Sequence, residues 1–313
     1  MIEPKIQENI SLAPMTTFRI GGQAKYFVKI RTKEELAEVF EWIRKKKINY
    51  AILSGGSNVL ISDDGFGGIV VKMENKGLEI RGERIEAGAG TDLPQIVRRA
   101  IGGGLSGLEW AIGIPGSLGG AIRGNAGAFG GQLADCVETV EVFNIKKKRS
   151  YILSGNDCKF SYRESIFKKD RNLLIWSATL RMKKGEIEEI NKTVSQYLGH
   201  RNSTQPKLPS AGCIFKNVLF SDLQKGNRYL SDAAEREGLI KGGKVGAGWI
   251  ISRLDLQGKK IGGTKISLEH ANFIVNTGKA RAEEVVMMIS FIKQQVRDRF
   301  GVQLQEEIEY LGF

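Results

Sequence analysis

Residues 111–131 read AIGIPGSLGGAIRGNAGAFGG, with glycine at 113, 116, 119, 120, 124, 127, 130 and 131 and one charge, Arg123. Glycine loses more conformational freedom on folding than any other residue, so this density inside an ordinary globular sequence needs a cause. The usual cause is backbone brought close to something, its N–H groups aimed at an anion or a flat ring. A second stretch of this kind, Ser54–Leu60 (SGGSNVL), follows directly on the apolar run Tyr50–Leu53. Two such turns point to one large phosphate-bearing ligand held at two places; the competing reading is two tight turns with no ligand. Neither turn contains G-x-x-x-x-G-K-[ST], which counts against a P-loop. Gly88–Gly90 gives only G-A-G, with no helix opening there, so the Rossmann fingerprint fails too. The expected ligand is dinucleotide-like and held by another fold.

The chain of 313 residues is long enough for two domains, and its 41% hydrophobic and 26% charged content is that of a soluble globular protein. The opening MIEPKIQENISLAP has no apolar core of signal-peptide length. No segment approaches the ~20 apolar residues of a membrane span. A cytoplasmic protein without membrane insertion is expected. Cys136, Cys158 and Cys213 are widely spaced and odd in number, which argues against a disulfide framework and a cysteine zinc site. With only His200 and His270 besides, no metal site and no Ser-His-Asp triad are expected. The net charge of +12 invites a nucleic-acid reading. The lysines are scattered, however, and no helix-turn-helix, zinc-finger or RRM pattern is present, so no nucleic-acid partner is expected. A basic cleft serves a ligand bearing phosphates and a carboxylate equally well.

Three regions and a tail emerge along the chain. Residues 1–73 alternate a strand (Ala24–Ile30), a helix (Lys33–Lys46) and strands at Tyr50–Leu53 and Gly68–Lys72. Leu36, Val39, Phe40 and Ile43 give the helix its apolar face, and Thr32 reads as its N-cap. The first glycine turn then lies at the carboxyl end of a strand, where open α/β sheets bind ligands. Residues 74–183 are richer in strands, with a helix at Leu93–Gly103 leading into the long glycine segment. Residues 184–299 open with a helix (Ile187–Leu198), continue through a polar loop, a strand (Cys213–Lys216) and the run His270–Asn276, and close on the amphipathic helix Ala282–Phe300. Val285, Val286, Ile289, Ile292 and Val296 are its apolar positions. Residues 300–313 form a short final strand.

Seven stretches occur in a fixed order: TTFRIGG (16–22), LSGGSNVL (53–60), GIPGSLGGAIRGNAGAFGG (113–131), FSYRESIF (160–167), PSAGCIFKN (209–217), IGGTKISLEHANFIVN (261–276) and FGVQLQEEIEYLG (300–312). Together they resemble the UDP-N-acetylenolpyruvoylglucosamine reductase family over nearly the whole chain. The short distance from YRES to PSAGC resembles its compact second class. The resemblance implies an α+β/α/β chain: a two-subdomain FAD-binding fold of the vanillyl-alcohol-oxidase type plus a separate α/β substrate domain. It implies FAD as cofactor, NADPH as co-substrate, a UDP-sugar as substrate and a monomer. Domains are then expected at 1–73 and 74–183 for FAD, 184–299 for substrate, and 300–313 for a strand carrying a catalytic carboxylate.

Under this resemblance the backbone of Gly55, Gly56, Ser57 and Asn58, continuing through Val59 and Leu60, holds the pyrophosphate. Gly113, Ile114, Pro115, Gly116, Gly119 and Gly120 pass beneath adenosine and flavin. Asn125, Gly127 and Ala128 match an N-x-G-A segment near the ring. The reaction implied is hydride transfer from NADPH through the flavin to C3 of an enolpyruvyl group, with negative charge building on the carboxylate. Arg163 is assigned to that charge, a permanent bidentate cation suited to a carboxylate, and Glu307 to the matching carboxyl group, with Glu306 the competing neighbour. The family's proton-donating serine is replaced here by Cys213, a stronger acid of similar reach; the competing reading is a small buried hydrophobe. Tyr162, Arg201, Gln205, Lys216 and Asn217 are expected to hold substrate, with Asn202 a further candidate, the 201–217 group on loops flanking Cys213. His270 and Asn272 are expected to shape the site. Two further departures are Val218, where the family often has proline, and a long span Leu219–Val245. The alternative reading is another flavin oxidoreductase of the same fold acting on a different carboxylate.

Overall fold

The computed structural model describes residues 5–313. The chain divides into two compact units that interleave along the sequence. The first takes the chain up to Ile10, Ala24–Gly56 and Gly67–Asn202; the second takes Ser11–Gln23, Ser57–Phe66 and Ser203–Phe313. Packing thus divides the chain differently from contiguous boundaries at 73, 183 and 299.

The first unit holds two sheets. One has four strands in the order Gln7–Ser11, Gln23–Ile30, Phe66–Met73, Tyr50–Leu53, the last two running parallel with Leu53 beside Lys72. Helix Lys33–Lys46 covers it and buries the expected Leu36, Val39, Phe40 and Ile43 against Val28, Ile30, Ile69 and Val71. Thr32 closes a full capping box, accepting from Glu35 N at 3.2 Å while the Glu35 carboxylate takes the Thr32 N–H. The other sheet is antiparallel: Arg149–Ser154, Val137–Asn144, Leu173–Arg181, Arg84–Gly88, Leu78–Arg81. Helices Leu93–Gly102 and Leu118–Arg123 pack on it through Leu93, Ile96, Val97, Leu118 and Ile122.

In the second unit a four-stranded sheet runs Ser210–Cys213, Phe273–Asn276, Thr264–Ile266, Lys260–Ile261. Helix Ala282–Phe300 has the expected bounds and buries Val285, Met288, Ile289, Ile292 and Val296. Val286 is half-buried and Met288 is buried, because the stripe follows the helix's true inward face. Phe18, Ile20 and Leu60 join this core from the interleaved segments. The span 219–245 is a closed excursion. Helices Phe220–Gly226 and Arg228–Arg236 bury Leu223, Leu230 and Ala234 in the same core, and the ends of the excursion pair as Val218↔Val245 and Leu219↔Lys244.

Thr32→Ala should lower the free energy of unfolding by about 1 kcal/mol, the usual worth of an N-cap. Denaturant titration measures it; an unchanged midpoint would mean that packing alone sets the start of this helix.

Candidate active site

In the first unit the two glycine turns meet. A Cβ on Gly55 would stand 2.3 Å from Gly116 Cα, so the backbones touch with no room for a side chain. The Ser54 and Ser117 hydroxyls hydrogen-bond each other. The Ala89 carbonyl accepts from Ser54 Oγ at 3.4 Å and from Gly119 N at 2.9 Å. Gly56, Gly113 and Gly116 have φ of 66°, 76° and 119°, the left-handed region that glycine enters without strain. Ser57 and Asn58 of the first turn belong to the second unit.

An open groove of about 630 Å³ lies on the antiparallel sheet of the first unit, with Asn75, Lys76, Gly88, Trp176, Ser177 and Thr179 among its lining. Gly88 leads directly into Ala89, where the glycine turns meet. None of this lining was singled out from sequence, because these residues read as ordinary strand positions.

Arg163 occupies a tight reverse turn. Ser161 and Glu164 exchange both backbone hydrogen bonds at 3.1 Å, and Arg163 itself has φ 57°. Its Nη2 donates to the Gly127 carbonyl at 2.9 Å and its Nη1 to the Asn125 carbonyl at 3.5 Å. The guanidinium stands 5.5 Å from the Tyr162 ring centre. Asn125 is buried and builds this seat. Its amide donates to Ser161 O and Gln132 Oε1, both at 2.9 Å, and accepts from Ala134 N at 3.0 Å. The Asn125 side chain therefore serves the protein.

Arg201 departs from its expected loop. It lies on a helix, Ile187–Thr204, which runs on through Gly199 and ends short of Pro206. Its guanidinium donates to Trp110 O at 3.3 Å and lies 5.1 Å from the Phe129 ring centre. Phe129 stacks on Tyr197 with centroids 4.1 Å apart.

The second unit brings Cys213 and Glu307 onto adjacent segments. Cys213 ends a strand whose register shifts after Ser210, with Gly212 at φ 77°. Asn272, buried, pairs both backbone groups of Phe215 at 2.9 Å, and its own carbonyl accepts from Ile214 N at 2.9 Å. The Ile214 carbonyl accepts from Glu307 N at 2.7 Å. Asn58 Nδ2 donates to the Glu307 carbonyl at 3.0 Å, and Val59–Ile61 pairs in parallel with Glu309–Leu311. Leu60 is fully buried in the core of the second unit. Lys216 N bonds Gln305 O at 2.8 Å, the Asn217 side chain accepts from Ala247 N at 3.4 Å, and Gln205 is half-buried just beyond the helix end. His270 Nδ1 accepts from Asn272 N at 3.2 Å.

Glu306 and Glu307 are told apart. Glu306 accepts from Lys293 Nζ and Tyr310 OH, both at 2.7 Å. Burial raises its pKa, but those bonds win and hold the carboxyl below the ordinary range. Burial pushes the Cys136 thiol up to about 12 and Cys158 to about 11, which marks both as inert. Cys213 is only half-buried. Among the described residues no cluster of three or more His, Cys, Asp or Glu is arranged to hold a metal, and no helix is long and apolar enough to cross a membrane.

Residues 205–311 match the family model of the UDP-N-acetylenolpyruvoylglucosamine reductase C-terminal domain, and residues 24–147 match an FAD binding domain. The reductase of Prochlorococcus marinus (strain MIT 9313) is 37% identical, over 99% of this chain and 94% of its own. That of Solibacter usitatus (strain Ellin6076) is 36% identical, over 98% and 97%. This chain belongs to the UDP-N-acetylenolpyruvoylglucosamine reductase family. The crystal structure of the Thermus caldophilus reductase superposes with a TM-score of 0.78 at 32% identity, covering 98% of this chain and 99% of that one. Membership and the FAD domain make this chain an FAD-dependent oxidoreductase of mixed α/β architecture.

Glu306 has a lower pKa folded than its unfolded value of about 4.3. Its stabilising contribution is therefore present above about pH 4.3 and is lost as pH falls through the folded value. Glu306→Gln should lower stability at neutral pH and flatten the acid limb of a stability–pH curve. An acid limb identical to wild type would remove Glu306 from this role.

Proposed function

We propose that this chain reduces UDP-N-acetylglucosamine enolpyruvate to UDP-N-acetylmuramate, with FAD resident and NADPH as hydride source, in peptidoglycan precursor synthesis. The reading places it in the cytoplasm, since NADPH and a UDP-sugar are charged and do not cross a bilayer unaided, and takes it to be a monomer. The observation that carries it, in a chain of this family, is that the segments bearing Cys213 and Glu307 lie side by side, joined by the bond from Glu307 N to the Ile214 carbonyl.

The chain's own residues fit FAD. Gly55 and Gly56 leave bare backbone at the first turn, and the groove ending at Gly88 suits the adenosine half. FAD, when bound, would supply the two-electron hydride chemistry between NADPH and the enolpyruvyl C3. Arg163, seated on the Gly127 carbonyl, stabilises the charge that grows on the substrate carboxylate. Cys213 gives the proton to C2. Glu307, when protonated, hydrogen-bonds the same carboxylate. Tyr162, Arg201, Gln205, Lys216 and Asn217 contact substrate. The purified protein should be yellow, bleached by NADPH without oxygen and restored by the enolpyruvyl substrate; a colourless protein that takes up no flavin overturns the reading.

Arg163→Ala should leave flavin reduction by NADPH within a few-fold of wild type and slow reoxidation by substrate by roughly a hundredfold, the scale for one contact to a developing oxyanion. Stopped-flow absorbance gives both rates. Equal losses in both halves would make Arg163 a folding or general binding residue.

Cys213→Ser should keep substantial turnover, because a hydroxyl takes the same place. Cys213→Ala should retain FAD and its reduction while the second half-reaction falls ~100-fold. Near-normal turnover of Cys213→Ala returns the residue to packing.

A further inference from the structure

Lys72 ends up in an unusual position for a lysine. It sits near the end of strand Phe66–Met73, paired in parallel register with Leu53, and is partly buried. Its ammonium donates to the carbonyl of Ser54, the residue that opens the first glycine turn. An ammonium has three N–H donors, and this bond uses one. Among the described residues no carboxylate pairs with it. Its two acidic neighbours are already engaged: Glu74 with Lys29 and Arg31, each at 3.2 Å, and Asp92 with Lys76 at 3.3 Å. Four cations therefore share two carboxylates in this region, and Lys72 is the one left over. Burial pushes its pKa down, against the opposing pull of Glu74 and Asp92, which pair with other cations. A partly buried charge without a counter-ion is costly unless something supplies one.

The missing counter-ion belongs at the glycine turn. Ser54 reaches Ser117 and Ala89, so the Lys72 ammonium stands where the two glycine turns meet. We propose that Lys72 is an anion-binding residue of this turn, its ammonium pairing with the pyrophosphate of the bound dinucleotide. The proposal rests on the FAD reading for its ligand, and it gives the turn a side-chain charge where the sequence offered only backbone N–H groups. A charge-assisted hydrogen bond is roughly twice as strong as a neutral one and weakens with salt when partly exposed.

The test is titration of flavin-free full-length protein with FAD, followed by flavin fluorescence, for wild type, Lys72→Met and Lys72→Arg. Riboflavin, which lacks the pyrophosphate, is titrated in parallel, and inorganic pyrophosphate binding is measured by calorimetry. Lys72→Met is expected to weaken FAD about tenfold or more, to flatten the salt dependence, and to leave riboflavin affinity unchanged. Lys72→Arg should retain most of the affinity. Because an uncompensated charge is removed, the melting temperature of flavin-free Lys72→Met should equal or exceed wild type. A lysine that merely tethers Ser54 would give the opposite: a lower melting temperature and equal losses for FAD and riboflavin. That result, or FAD affinity unchanged in Lys72→Met, overturns the proposal and leaves the proposed function standing. Wild type that ignores FAD but binds pyrophosphate in a Lys72-dependent way overturns the function and keeps the anion site; binding of neither overturns both.

Discussion

The contact between Gly55 and Gly116 is the constraint on which the first unit depends. It is backbone against backbone: a methyl group at 55 would lie 2.3 Å from the other turn's Cα. Gly119 is held in the same way, its missing Cβ 2.9 Å from that of Ala89. Three segments distant in sequence are thereby brought within one peptide thickness, tied by the Gly119–Ala89 and Leu93–Gly116 hydrogen bonds at 2.9 Å. Helix Leu93–Gly102 starts from this knot, so the buried face of the antiparallel sheet is positioned by it too. Glycine here acts through its lack of volume as much as through its freedom. The result is backbone without side chains at Gly55 and Gly116, the form an anion or a flat ring can approach.

The second unit solves a different problem with asparagine. A strand that breaks register at Gly212 to aim Cys213 gives up ladder hydrogen bonds, and the orphaned groups need partners. Asn272 supplies them as a substitute peptide, one amide pairing both backbone groups of Phe215. Asn58 does the same for the Glu307 carbonyl, and Asn276 for that of Phe18 at 3.1 Å. Each such bond nets about 1 kcal/mol, but leaving a buried group unpaired costs more. The segments bearing the thiol and the carboxyl are thus held by two of these side chains, Asn272 and Asn58.

Much of this was legible in sequence. Helices Lys33–Lys46 and Ala282–Phe300 announce themselves by apolar spacing, the first also by its Thr32 cap, and the glycine runs mark where backbone comes close. The interleaving was not legible. Nothing local in TTFRIGG says that Thr17 will donate to Ser210 at 2.7 Å, because pairing across 193 residues leaves no periodic trace. Arg201 differs for a related reason: RNST reads as polar loop, yet it is the last turn of a helix that runs on through Gly199, with Arg201 half-buried against Trp110 and Phe129. Lys72 gave no signal, since a lysine at a strand end reads as solvated until burial and neighbours are known. Asn58 gave the wrong emphasis, because the glycine-rich context hid its bond to the C-terminal segment.

The seat of Arg163 shows how sequence apportions strain. Around it glycine is kept where space is absent: a Cβ on Gly131 would lie 2.3 Å from the Trp110 ring, and one on Gly127 would lie 2.7 Å from the Gly131 carbonyl. Yet three neighbours with left-handed backbone are not glycine: Asn125 at φ 41°, Phe129 at φ 51° and Arg163 at φ 57°. Each costs about 1 kcal/mol or more relative to glycine in that region. Each has a side chain with work to do. Asn125 gathers Ser161, Gln132 and Ala134, Phe129 stacks on Tyr197, and Arg163 carries the charge. Glycine at any of the three would relieve the backbone and abolish that contact. Strain retained at three positions within one small region, where a permissive residue was available for each, is offset by the contacts these side chains make.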